Sequence, residues 1–189
     1  MATLTVITGP MFSGKSGELL RLARNHGYAG RKVIAIKPKQ DDRQATIRAR
    51  QIIEGQSMTV GEFPAFEVSN LEELDKLVME QWPNAVLFDE FQFFEPWVLE
   101  WIRKVMRNPL RDLQIYAAGL DQNSELQTFG CMGDLLALAD DVIKLKAVCF
   151  KCGAPATTTT RVAPSNGQAI QTGDIDKYIA TCRRCHINS

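Results

Sequence analysis

The sequence predicts an α/β protein: a mostly parallel sheet flanked by helices, followed by a small C-terminal unit held together by cysteines. Three observations point to it. A short β-branched run leads into a glycine-rich turn, then a helix, then a second strand. An apolar run near the middle of the chain ends in two adjacent acids, and two Cys-x-x-Cys pairs lie towards the C-terminal end.

Thr3 to Thr8 (TLTVIT) reads as a buried strand that stops at Gly9-Pro10. From Lys15 the pattern turns helical, with Leu19, Leu20, Leu22 and Ala23 on one apolar face and Gly27 near the end. Lys32 to Lys37 is the next strand, ended by Pro38. Strand, loop, helix and strand in this order form a βαβ unit, which makes the sheet parallel and the crossover right-handed. Residues 40–62 are polar with no sustained period, and they read as a mobile surface segment. Phe66 to Val68 is a short strand. Asn70 and Glu73 form a capping pair for a helix through Met79. Ala85 to Asp89 is a buried strand, and Pro96 suits the first turn of a helix running to about Met106. Gln114 to Gly119 is a strand, Leu135 to Ala139 a helix and Val142 to Leu145 a last short strand. Beyond Cys149 the chain reads as irregular and rich in turns, including the run Thr157 to Thr160. We divide the 189 residues into a domain at 1–148 and a unit at 149–189 too short to build its own core.

The 22 basic and 22 acidic side chains give a formal net charge of +0. A protein that grips nucleic acid through phosphates shows a basic excess or stripe, so a small-molecule partner is expected and no nucleic acid. No early apolar run resembles a signal peptide and no stretch is long enough to span a bilayer, so we expect a cytoplasmic protein without a membrane partner.

Gly9-Pro10-Met11-Phe12-Ser13-Gly14-Lys15-Ser16 fits G-x-x-x-x-G-K-[ST] at every fixed position, between a strand and a helix. In such a loop successive backbone N–H groups face inward, and the helix start adds positive potential for phosphates. Lys15 would neutralise the β/γ-phosphates and Ser16 would ligate Mg²⁺. The expected cofactor is therefore Mg²⁺ with ATP.

Asp89-Glu90 closes the apolar strand, in the Walker B arrangement, with Asp89 as the Mg²⁺ residue. Successive strand side chains point to opposite faces, so Glu90 should aim away from the metal, towards an acceptor, where a carboxylate could take a hydroxyl proton or orient a water. The acid pair does not by itself separate a kinase from a nucleic-acid-stimulated ATPase. Asp41 and Arg43 follow the second strand at the ligand-binding end of a parallel sheet; they are either phosphate and metal-shell residues or ordinary loop charges.

Of the five cysteines, Cys149, Cys152, Cys182 and Cys185 have the doubled spacing of a closed, structural four-thiolate zinc site. His186 is an alternative to Cys185 as fourth ligand. Cys131 reads as a small buried apolar residue and His26 as a helix-surface residue.

Taken together, the motifs resemble those of the type II thymidine kinases. The matching residues are the loop at 9–16, Asp41-x-Arg43, Asp89-Glu90-x-Gln92-Phe93-Phe94, Gly119-Leu120-Asp121, Phe129-Gly130, the run Leu145 to Cys149, Thr159-x-Arg161, Gly173, Tyr178 and Cys182-Arg183-x-Cys185. The resemblance implies a P-loop, RecA-like domain and a zinc-anchored lasso that closes over the nucleoside. It implies transfer of the ATP γ-phosphate to the 5′-hydroxyl of thymidine, with deoxyuridine left open as a further acceptor. It makes Glu90 the general base, and Lys15, Ser16, Asp89, Asp41, Arg43 and Gln92 residues of the ATP side. Met11, Phe93, Leu120 and Phe129 would wall the base pocket; read without the resemblance, the same residues are plain core. Thr159, Arg161, Gly173 and Tyr178 would belong to the lasso around the base and sugar. The resemblance also implies a homotetramer.

The chain departs from the family pattern at Gln44, Phe91, Ser124, Thr172 and Asp174, where a tyrosine, a small residue, an aromatic, an aliphatic and a glycine are common. Loss of an aromatic at Ser124 removes stacking area from the pocket. These changes bear on the acceptor range and leave the phosphate residues untouched.

Overall fold

The computed structural model describes residues 1–39, 46–53, 56–162 and 177–188. In chain order the elements are β1 (Thr3–Thr8), α1 (Lys15–Tyr28), β2 (Val33–Pro38), β3 (Thr46–Ile53), β4 (Gln56–Pro64), β5 (Phe66–Val68), α2 (Leu71–Gln81) and β6 (Ala85–Phe88). A 3₁₀ turn (Phe91–Phe93), α3 (Trp97–Met106), β7 (Gln114–Gly119), α4 (Met132–Leu138) and β8 (Asp141–Lys144) complete the larger part. Then come β9 (Ala147–Val148), β10 (Pro155–Ala156), β11 (Thr158–Arg161), β12 (Tyr178–Thr181) and α5 (Arg183–Ile187).

Six strands form one sheet in the order β5-β2-β6-β7-β1-β8. Every pairing in it is parallel. These are the six strands expected from the sequence, with ends shifted by a residue or two. Alternate residues feed two cores, as the two-residue period of a strand demands. Leu4, Val6, Ile34, Ile36, Val86, Phe88, Ile115 and Ala117 face a cluster completed by α2, α3 and α4. Ile7, Ala35, Leu87 and Ala118 face the other, completed by Leu19, Leu20 and Ala23 of α1.

The helix at 71–81 starts as expected: Asn70 Oδ1 accepts the Glu73 N–H at 2.9 Å, while the Glu73 carboxylate reaches back to Ser69 N at 2.7 Å.

Three expectations are corrected. The segment read as mobile and without period contains an antiparallel ribbon, β3 on β4, with Ile47 opposite Phe63. Ile47 and Ala49 are buried against α1 while Arg48 points outward to Glu62, with Nε–Oε1 at 2.9 Å. A ribbon that covers one side of a helix needs apolar residues on one face only, and here Ile47, Ala49 and Phe63 supply it. The run Thr157 to Thr160 is not irregular either: Thr158 to Thr160 lie buried in β11, paired antiparallel with β12. His26 is not a surface residue. It is 7% exposed, with its ring edge-on to Tyr116 and Nε2 3.2 Å from the Tyr116 hydroxyl. Cys131 is buried in the core as expected, its thiol 3.5 Å from the Phe94 carbonyl.

Candidate active site and metal centre

The C-terminal ends of β1, β6 and β7 lie side by side in the sheet, and the chain leaves each of them into a chemically distinctive segment: the phosphate loop, Asp89-Glu90 and Leu120-Asp121. This is the end of a parallel sheet where ligands bind.

The loop is shaped by its glycines. Gly9 has φ 145°, and a Cβ there would sit 2.5 Å from the Leu145 carbonyl oxygen, so no side chain fits. Gly14 is left-handed at φ 87° and opens α1 directly. Lys15 curls back over the loop, donating to the carbonyls of Gly9 at 3.1 Å and Pro10 at 2.8 Å. Burial lowers the Lys15 pKa, while the carboxylates of Glu90, Asp89 and Asp121 pull it back up. Ser13 sits in the same loop with a buried hydroxyl that has no protein partner among the described residues.

Ser16 Oγ lies 3.3 Å from Asp89 Oδ1, so the loop and the end of β6 meet at one point. Asp89 is 4% exposed, and its carboxyl is pushed up to about 7, first by burial and then by the neighbouring Glu90. A hydroxyl and a buried carboxylate at hydrogen-bond distance are oxygen donors of the kind Mg²⁺ takes, and a divalent cation would offset the desolvation that holds the proton on Asp89.

Glu90 does not get its direction from strand alternation. β6 ends at Phe88, and Glu90 takes a left-handed conformation at φ 55° before the 3₁₀ turn. Its Oε2 accepts from Gln92 Nε2 at 2.6 Å, and Gln92 Oε1 accepts the Leu120 N–H at 3.0 Å.

Met11, Phe93, Leu120 and Phe129 are half-buried and belong to none of the buried core clusters. Phe93 and Phe129 meet edge-to-face with ring centroids 5.5 Å apart. Phe91 and Phe94, by contrast, are sealed in the core beside Phe88. Thr159 is buried, and its Oγ1 accepts the Met11 N–H at 3.0 Å, so β11 touches the phosphate loop. Arg161 and Tyr178 face each other across β11 and β12. Asp41, Arg43 and Gly173 lie outside the described residues, as do Gln44, Thr172 and Asp174.

Two residues of this end drew no role in the sequence reading. Asp121 is 7% exposed and its Oδ2 lies 2.6 Å from Lys144 Nζ at the end of β8. Lys37, on β2, lowers the Asp89 pKa through its charge and donates to the Thr46 carbonyl at 3.3 Å. The available signal was their place at the ends of strands, next to residues already marked for chemistry.

At the other end of the chain, β9 and β10 bring Cys149 and Cys152 towards Cys182 and Cys185 at the start of α5. The four sulfurs lie within 4.8 Å of one another, and those of Cys152 and Cys182 are 3.7 Å apart. Tetrahedral Zn–S bonds of about 2.3 Å separate sulfurs by roughly 3.8 Å, so the donor set fits zinc. The crowding shows in the protonation: Cys149 falls to about 6, chiefly through the Cys182 backbone N–H, and Cys185 rises to about 12 through hydrogen bonds with the Cys152 and Cys182 sulfurs. Four thiolates this close ionise together only around a cation. His186 is not in the cluster; its Nδ1 lies 2.7 Å from Thr160 Oγ1, and Cys185 is the fourth residue of the group that could hold a metal ion. No helix of the described residues is long and apolar enough to cross a membrane.

The family model described as "Thymidine kinase" matches residues 2–186. The chain is similar to the thymidine kinase of Mycoplasma mobile, with 36% identity over 187 residues covering 97% of this chain and 86% of that one. It is similar to the thymidine kinase of Mesomycoplasma hyopneumoniae, with 35% identity over 183 residues covering 97% and 94%. A match of this length takes in both ends of the molecule, the phosphate-loop end of the sheet and the cysteine cluster alike, and this chain belongs to the thymidine kinase family.

Proposed function

We propose that the protein transfers the γ-phosphate of ATP to the 5′-hydroxyl of thymidine, and of deoxyuridine as a second acceptor, releasing ADP. The observation that carries this reading is the meeting of Lys15, Ser16, Asp89 and Glu90 at one end of the sheet.

The loop N–H groups and the start of α1 receive the phosphates. Lys15 exchanges its hydrogen bonds to Gly9 and Pro10 for phosphate oxygens. Ser16 and Asp89 would hold Mg²⁺, which would supply positive charge against the phosphates. Glu90 accepts the proton of the 5′-hydroxyl. The freed oxygen lone pair forms the new bond to the γ-phosphorus, and the bond to the β-phosphate bridging oxygen breaks, its electrons leaving with ADP. Asp41 and Arg43 serve the ATP side by resemblance. Met11, Phe93, Leu120 and Phe129 line the base pocket, and their half-buried faces outside the core support that role. Thr159, Arg161, Gly173 and Tyr178 belong to the segment that closes over the nucleoside. Residues 1–148 form the ATP-binding domain and 149–189 the closing unit, anchored by a structural zinc that takes no part in the chemistry. We place the protein in the cytoplasm, as a homotetramer, on the family resemblance and on cysteines spaced for metal binding in a reducing compartment.

The test is turnover with Mg·ATP and each natural deoxynucleoside in turn. ADP release should depend on thymidine, with deoxyuridine next and purines inert, because a site that satisfies one base edge leaves groups unpaired against another. ADP release indifferent to every nucleoside would overturn the reading.

A further inference from the structure

We infer that Gln92 is a positioning residue for Glu90, fixing the carboxylate through its side-chain amide and tying it to the wall of the nucleoside pocket. The inference rests on the reading of Glu90 as general base.

The geometry is over-determined. Gln92 is 3% exposed. Its Nε2 donates to Glu90 Oε2 at 2.6 Å, and its Oε1 accepts the Leu120 N–H at 3.0 Å. A carboxylate can only accept and a backbone N–H can only donate, so these two partners allow a single orientation of the amide. The fold leaves space for Gln92 and for nothing more. A Cβ on Gly119 would lie 2.8 Å from Gln92 Oε1, and one on Gly130 would lie 2.2 Å from the Gln92 carbonyl oxygen. Gly130 is also left-handed, at φ 55°, and it follows Phe129. Two glycines from separate segments therefore close on this one residue.

Glu90 needs such a hold. It lies beyond the end of β6 in a left-handed conformation, so no sheet hydrogen bonding directs its side chain. Among the described residues its only side-chain hydrogen bond is the one from Gln92, to Oε2. Oε1 is left for the proton of the acceptor hydroxyl. Because Leu120 lies at the end of β7 and is held by the other side of the same amide, movement of the pocket wall and movement of the base are linked through Gln92. A carboxylate displaced by about 1 Å loses on the order of 10²-fold in rate.

Steady-state kinetics of the full-length protein test this in four variants: Gln92→Met, Gln92→Glu, Glu90→Gln, and Glu90→Gln combined with Gln92→Glu. Gln92→Glu keeps an oxygen acceptor for the Leu120 N–H, removes the amide donor and sets a second carboxyl against Glu90, so it serves even where Gln92→Met does not fold. Each folded Gln92 variant should lower kcat about 10- to 100-fold and change KM for ATP and thymidine by less than about threefold. In the Glu90→Gln background Gln92→Glu should add no further loss, because a residue that acts only through Glu90 has nothing left to position. A KM effect with kcat intact, or losses that multiply in the double variant, would overturn the inference and give Gln92 a role of its own. Normal kcat in the Gln92 variants alongside a damaged Glu90→Gln would overturn it as well. Wild-type turnover in Glu90→Gln would instead remove the general-base reading on which it rests.

Discussion

The Thr159 hydroxyl accepts the backbone N–H of Met11 at 3.0 Å, across 148 residues of sequence. This bond joins the phosphate loop to the strand pair whose ends are set by the cysteine cluster. It gives the small C-terminal unit a direct hold on the conformation of the ATP site.

Thr159→Val preserves shape and removes the acceptor. An unsatisfied buried N–H costs about 1–3 kcal/mol, so denaturant unfolding of the ligand-free protein should show a loss of that size. KM for ATP should rise, and Thr159→Ser should restore both. An unchanged unfolding midpoint would show that water replaces the hydroxyl at no cost.

The cysteine cluster predicts one zinc per chain by elemental analysis. Cys152→Ser should lower that content well below one and reduce the unfolding temperature, since the apolar cluster beside the cysteines among the described residues (Ala147, Cys149, Ala156 and Ala180) is small. Retention of zinc in Cys152→Ser together with its loss in a His186 variant would replace the ligand set given above.

Lys15→Met should leave the fold intact and lower kcat by about 10²–10³-fold, the usual worth of one positioned donor to developing charge. The check is phosphoryl transfer at saturating ATP beside a far-ultraviolet circular dichroism spectrum. Turnover within threefold of wild type would exclude Lys15 from the phosphate site.

Asp89 predicts a pH dependence in the metal-free, nucleotide-free protein. Its folded-state pKa, about 7, lies above the unfolded value near 3.8. The folded state therefore binds the proton more tightly, and stability falls as pH rises from about 4 to 7, with the full penalty present above 7. Asp89→Asn should remove that penalty, stabilising the ligand-free protein at pH 8 by on the order of 1–4 kcal/mol and much less at pH 4. Thermal unfolding across this range reads it out, and equal stabilisation at both ends would place the proton elsewhere.

The elements readable in the sequence were those whose signal is continuous or local. Ala85 to Phe88 and Thr3 to Thr8 are strands of a parallel sheet covered on both faces, so they read as unbroken apolar or β-branched runs. The phosphate loop and the cysteine pairs depend on spacings within a few residues. What escaped depends on contacts between distant segments. The ribbon at 46–64 turns Ile47, Ala49 and Phe63 towards the cluster that α1 completes, too few apolar positions to detect among arginines and glutamines. His26 is buried because Tyr116, 90 residues away, supplies its partner. The direction of Glu90 follows from a left-handed backbone that no pattern of neighbours announced. Thr159 was marked by resemblance alone, and its bond to Met11 belongs to the tertiary structure.

The most direct test of the central claim follows the γ-phosphate itself. With γ-labelled ATP, Mg²⁺ and thymidine, the label should appear on the 5′-oxygen of thymidine in an amount equal to the ADP formed, and neither product should accumulate without thymidine. Label recovered as inorganic phosphate, at a rate indifferent to thymidine, would make the protein an ATPase and contradict the account.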